Sequence, residues 1–219
     1  MISHEHALRQ AIVDTCRWLN TSGLNQGTSG NVSVRHDDGF LISPSATPYE
    51  MMQPEMVAHM DVAQRDGSYD GPKPPSTEWR FHRDIFAARP DVGAIVHAHS
   101  DYATALAIAH KSIPPCHYMV TAFGGHDIRC APYARFGTQA LSGHAVEALK
   151  GRMGCLLANH GMIALGHSLE QAKGFATELE ALARQYWLSL QVGGPVLLTD
   201  AELEEVAEAM HEYGLALVR

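Results

Sequence analysis

The segment CLLANHGMIAL, Cys155–Leu165, constrains the fold of this chain more than any other. It reads as two short apolar strands joined at Asn159–Gly161. So short a connection folds the second strand back antiparallel to the first, because a parallel partner needs a crossover of roughly a dozen residues or more. A purely parallel sheet is therefore excluded. A second pair points the same way: GTSGNVSVR (Gly27–Arg35) alternates like a strand, Asp37-Asp38-Gly39 turns the chain, and FLIS (Phe40–Ser43) follows as another. DVGAIVHAH (Asp91–His99) is a further strand, buried in character.

Helices are interleaved with these strands. Ser3 is placed to cap a first helix that puts Ala7, Leu8, Ala11, Ile12 and Leu19 on one stripe. Pro72, Pro74 and Pro75 punctuate a loop that ends at Ser76, a cap for a helix through Trp79, Phe81, Ile85 and Phe86. Ser100 or Asp101 starts an alanine-rich helix, and another lies near Gln139–Lys150. Ser168 with Gln171, and Thr199 with Glu202, form capping boxes for the last two. The interleaving predicts a single α/β domain of layered type over residues 1–219.

Composition acts mainly by exclusion. The longest apolar stretches fall short of the roughly 18 residues that a membrane-spanning helix needs. The N-terminus shows neither the basic segment nor the apolar run of a secretory signal. A cytoplasmic protein without a membrane partner is expected. Sixteen basic residues face twenty-four acidic ones, a net charge of −8 with no Lys/Arg cluster, which argues against a nucleic-acid partner. Cys16, Cys116, Cys130 and Cys155 form no C-x-x-C pair and read as reduced thiols.

Fourteen histidines are many for this length, and their spacing carries the argument. His97-Ala98-His99 ends an apolar strand, where positions i and i+2 share a face. Catalytic zinc sites commonly use three protein ligands and keep one position open. His160, at the junction of two strands, is the natural third. The residues alone equally fit a pair of ordinary histidines, with Gly161 a simple turn glycine and His59, His82, His110, His117, His126 and His144 as competing ligands. Glu78 is similarly two-sided: it is either a first-turn carboxylate favoured by the helix dipole or a general base and displaceable ligand. Ser76 and Thr77 beside a helix N-terminus could hold a phosphate.

Several ordered segments turn these fragments into a pattern: LNQGTSGNVSVR (Leu24–Arg35), PYE (Pro48–Glu50), EWRFH (Glu78–His82), VHAH (Val96–His99), IPPCHYM (Ile113–Met119), CAPYARFGT (Cys130–Thr138) and NHG (Asn159–Gly161). With them the chain resembles, nearly end to end, the class II aldolase/adducin family, and within it the members that cleave L-fuculose 1-phosphate. The resemblance implies a layered αβα fold with a mixed, largely antiparallel central sheet. It implies one Zn²⁺ per chain on His97, His99 and His160, with Glu78 a ligand until substrate displaces it and then the acid/base. Asn31, Ser45, Ser76 and Thr77 would bind the substrate phosphate, with Gly30 and Ala46 supplying backbone. Tyr118 would be a catalytic tyrosine given across a subunit boundary of a homotetramer, and Tyr213 another on a mobile C-terminal segment. Phe136 would line the pocket for the aldehyde half. The implied reaction cleaves a ketose 1-phosphate to dihydroxyacetone phosphate and a short aldehyde such as L-lactaldehyde.

This chain departs from the family pattern in places. Ser45-Ala46 stands where Thr-Gly is frequent and Thr77 where Ser is common, so Ala46 occupies the place of a conformationally permissive glycine. His126 and Asp127 either touch substrate or lie on the surface. Same-fold epimerases would carry Asp at position 78, and decarboxylases Lys at position 77. Adducin-like modules would lack the metal histidines, and an unrelated zinc hydrolase would not account for the phosphate segments. Aldolases for 5-deoxyribulose or methylthioribulose 1-phosphate would need the same metal and phosphate groups and are the alternative.

Overall fold

A computed structural model describes residues 3–212. Its centre is a seven-stranded sheet of order β3-β2-β1-β4-β7-β6-β5, made of β1 (Asn31–His36), β2 (Gly39–Ile42), β3 (Ala58–Asp61), β4 (Ala94–Ala98), β5 (Cys130–Ala131), β6 (Gly154–Leu157) and β7 (Gly161–Gly166). Every neighbouring pair is antiparallel except β5 with β6. The sheet is thus mixed and largely antiparallel, and β6 and β7 form the expected hairpin. Its turn is Ala158–His160, one residue earlier than the sequence suggested.

Among the described residues six helices flank the sheet: α1 (His4–Thr21), α2 (Trp79–Ala88), α3 (Asp101–Ile108), α4 (Gln139–Ala148), α5 (Leu169–Gln191) and α6 (Asp200–Glu212). Pleating separates two sets of side chains. Asn31 and Ser33 of β1 share a face with Ile95 and His97, their partners on β4. That face receives α2, whose His82 reaches Ser33 and whose Phe81 ring meets His97 edge-on at 5.4 Å. The opposite face is covered by α1, α3 and α5; Lys173 of α5 lies over Trp18 of α1. The stripe buried by α1 is Ile12, Val13, Cys16 and Leu19, whereas Ala7 stays exposed.

Local capping follows the sequence in most places. Ser3 accepts from His6 N–H, Ser168 from Gln171 N–H, and Thr199 with Glu202 bond reciprocally. Two starts differ from expectation. Helix α2 begins at Trp79 with Glu78 at the cap position, and Ser76 instead accepts from Glu78 N–H inside the preceding turn. Ser100 precedes α3 but does not cap it. The Glu180 carboxylate of α5 does, accepting from Tyr102 N–H, Ala103 N–H and the Ser100 hydroxyl. All four cysteines are free, and no helix among the described residues is long and apolar enough to cross a membrane.

Candidate active site

The β1–β4 register sets the site. Asn31 lies directly opposite His97, and His97 lies opposite Ile163 on β7. His99 follows the end of β4 and His160 precedes the start of β7, so three imidazoles come from one end of two antiparallel neighbours. Their ring centroids are 4.9–5.0 Å apart and their planes nearly perpendicular. One nitrogen from each lies within 4.8 Å of the others.

Two glycines make this approach possible. A β-carbon on Gly161 would sit 2.7 Å from the His99 ring, and one on Gly30 would sit 2.7 Å from the His97 carbonyl oxygen. The left-handed turn position is not Gly161 but Asn159, at φ +54°. Gly161 is required for space rather than for its backbone angle.

His97 is fully buried and donates its Nδ1–H to the Met162 carbonyl at 2.8 Å, which turns Nε2 towards the cluster. That nitrogen lies 3.1 Å from His99 Nε2 and 3.1 Å from Glu78 Oε2. Glu78 Oε1 lies 3.3 Å from His160 Nε2, yet it is buried without a hydrogen-bond partner. Ligand atoms converging on one point around an unsatisfied carboxylate oxygen call for a cation, and three imidazoles plus a carboxylate are the donor set of a transition-metal ion. The residues fit a metal. Glu78 makes no side-chain capping hydrogen bond to its own helix start; its carboxylate faces Asn31, His97 and His160 instead.

Burial alone would raise the Glu78 pKa, but His97 first, then His160 and the Asn31 amide, outweigh it and hold the carboxyl at about 2. Burial, reinforced by His97, pushes His99 down to about 3 and His160 to about 4, which keeps both imidazoles neutral and available as ligands. His82, also buried, falls to about 3.

A cavity of about 390 Å³ opens beside this cluster. It is lined by Gly30 and Asn31 at the head of β1, by Ser45 and Ala46 after β2, and by Ser76, Thr77 and Glu78 before α2. The last two segments are laced together by Ser45 N–H to the Pro74 carbonyl and Ser76 N–H to the Ser43 carbonyl, both 3.0 Å. Ala46 has φ +47°, so it adopts the left-handed conformation of the glycine it stands in for. His99, Asn159 and His160 complete one part of the lining, and Tyr133, Ala134 and Phe136 another. All six candidate phosphate residues, Glu78 and two of the histidines therefore meet in one cavity.

Other candidates lie elsewhere. Tyr118 is half-exposed, stacked on His117, and does not line this cavity. Tyr213 lies outside the described residues. His126 pairs with Asp200 at the start of α6, and Asp127 accepts from Arg152. Sequence reasoning missed Asn25, Tyr133 and Asn159. Asn25 accepts from His99 N–H at 3.2 Å and so ties the loop before β1 to the cluster. His82, considered only as a competing ligand, is instead bonded to Asn31 and Ser33.

Known proteins share this chain's sequence and fold. Residues 10–187 match the family described as the Class II Aldolase and Adducin N-terminal domain. The chain is 49% identical to a 5-methylthioribulose-1-phosphate/5-deoxyribulose-1-phosphate aldolase of Rhodospirillum rubrum, over 95% of this chain and 93% of that one. It is 46% identical to an L-fuculose phosphate aldolase of Escherichia coli K12, over 96% and 97% of the two chains. A solved L-fuculose 1-phosphate aldolase superposes with a TM-score of 0.89 at 35% identity, covering 96% of this chain and 98% of that one.

Proposed function

This chain belongs to the class II aldolase and adducin family, and from that premise we propose that it cleaves L-fuculose 1-phosphate by a retro-aldol reaction, with one zinc ion per chain. As an aldolase of a phosphorylated sugar it is a lyase. The products in this reading are dihydroxyacetone phosphate and L-lactaldehyde, and the enzyme works in the cytoplasm. The observation that carries the reading is the shared cavity, where the His97–His99–His160 cluster and Glu78 stand beside hydroxyls and backbone suited to a phosphate.

His97, His99 and His160 would hold the zinc, with Glu78 as a further ligand that substrate displaces. Zinc held there supplies a Lewis acid for the ketose carbonyl and for the negative charge that develops when the carbon–carbon bond breaks. Asn31, Ser45, Ser76 and Thr77 donate to the phosphate, and Gly30 and Ala46 offer backbone N–H groups. These are local dipoles, so a chain of net charge −8 can still take an anion. Once substrate displaces it, Glu78 would take up a proton from solvent on Oε1 and deliver it to the phosphate-bearing fragment. Tyr118 would relay to solvent the proton leaving the C4 hydroxyl of a sugar bound to a neighbouring subunit of a homotetramer. Its exposure and its absence from the lining of its own cavity support that arrangement. Tyr213 would close over the site, and Phe136 would face the aldehyde half.

A second reading is favoured by the 49% identity to the Rhodospirillum rubrum aldolase: the substrate is a 5-deoxy- or 5-methylthiopentulose 1-phosphate. It uses the same residues and differs only at the aldehyde end. The test is release of dihydroxyacetone phosphate from each sugar, followed through an NADH-linked reductase, with a chelated control. Fastest turnover of L-fuculose 1-phosphate supports the first reading, and an advantage of about tenfold or more in kcat/KM for a pentulose phosphate replaces it with the second. No product from any of the three sugars overturns both.

A further inference from the structure

Behind Glu78 and Asn31 a buried chain of side chains continues to His82 and Ser33. Glu78 Oε2 accepts from Asn31 Nδ2 at 3.0 Å, Asn31 Oδ1 faces His82 Nε2, and His82 Nδ1 lies 2.6 Å from the Ser33 hydroxyl. Ser33 and His82 are fully buried, and Asn31 and Glu78 nearly so.

The donor direction along this chain is forced. An ionised carboxylate only accepts, so Asn31 must present its NH₂ to Glu78 and its carbonyl to His82. His82 must then carry its proton on Nε2 and accept at Nδ1 from the Ser33 hydroxyl. Burial keeps the ring neutral, so it has one N–H to give. Phe81 stacks on the ring at 4.6 Å and fixes its plane. Asn31 also lines the cavity, and its second N–H has no protein partner among the described residues.

We infer that His82 is a positioning residue: its Nε2–H, given to Asn31 Oδ1, locks the amide so that one N–H anchors Glu78 Oε2 and the other meets the substrate phosphate. Oε2 is thereby held, and Oε1 is left as the oxygen free to carry a proton. Without the lock the amide can turn over and set its carbonyl against a carboxylate on one side and a phosphate on the other. This rests on the sugar-phosphate reading given above, so its test includes observations that do not depend on turnover.

Long-range ¹H–¹⁵N correlation on the wild-type protein should show His82 as the Nε2–H tautomer; the Nδ1–H tautomer overturns the inference whatever the substrate. His82→Asn removes the distal donor, and His82→Gln replaces it with an amide N–H. With metal content and melting temperature followed in both, His82→Asn should raise the sugar-phosphate KM and the Kd for inorganic phosphate about tenfold and lower kcat by a similar factor. His82→Gln should recover most of each loss. Wild-type KM, kcat and phosphate affinity in His82→Asn overturn the assignment, as does equal impairment of the two variants. A wild-type protein that cleaves none of the sugars sinks the functional reading instead, and the tautomer and phosphate affinity still decide the part played by His82.

Discussion

A β-carbon on Gly161 would lie 2.6 Å from the Ala98 carbonyl oxygen and 2.7 Å from the His99 ring, both far inside van der Waals contact. Backbone cannot yield there without breaking the β4–β7 register, so His99 would have to swing away from His97 and His160. Gly161→Ala should therefore keep the fold and weaken metal binding by about 10- to 100-fold, as losses of support around a metal ligand do. Metal retained against a competing chelator, alongside circular dichroism, measures this; wild-type retention would refute the spatial argument. At this scale the sequence was partly legible. The H-x-H spacing and the Ser76-Thr77 pair beside a helix start are local patterns, whereas the choice of His160 over its competitors and the inclusion of Ser45 came from the family resemblance. What Glu78 and His82 do could not be read locally: their partners Asn31 and Ser33 are 47 to 51 residues away, and only the β1–β4 register and the docking of α2 bring them together.

Helix α3 starts two residues after His99, and its first turn is satisfied by a side chain from another element. Removing Glu180 leaves Tyr102 N–H, Ala103 N–H and the Ser100 hydroxyl without their acceptor. Glu180→Ala should cost about 2–3 kcal/mol, a fall in melting temperature of roughly 5–10 °C for a chain of this size. A change below 2 °C on a roughly calibrated melt would mean that water replaces the carboxylate. The boxes at Ser168–Gln171 and Thr199–Glu202 were legible because donor and acceptor lie three residues apart. The Glu180 cap was not, since it spans 77 residues or more in the chain. Strands β3 and β5 escaped for a related reason. At four and two residues they have little periodicity of their own and exist because β2 and β6 offer an edge.

For the whole molecule, the site is also the seat of its acid sensitivity. His82, His99 and His160 are held below their usual pKa by burial, so as pH falls below about 6.5 the unfolded chain takes up protons that the folded one refuses. Glu78, held near 2, adds a loss in the same direction below the ordinary carboxylate range. Stability is thus fully present above about pH 6.5 and drains away towards pH 3, with the fully buried His82 contributing a slope of up to about 1.4 kcal/mol per pH unit. The urea midpoint of metal-free protein should fall steadily between pH 7 and pH 4.5, and a level profile over that range would contradict the picture. The layered fold and its antiparallel character were legible from turn lengths and interleaving, while the sheet order was not, because β4 joins β1 to β7 across long stretches of chain. That order divides the cavity's walls unequally. Histidines, Glu78 and Asn31 sit on or beside hydrogen-bonded strands, whereas Tyr133, Ala134 and Phe136 sit on the connection between β5 and α4, moored to α2 by Arg80 at the Gly137 carbonyl. That connection can change its side chains without disturbing one rung of the ladder beneath, so one wall of the cavity is free to vary while the strands that seat the histidines stay as they are.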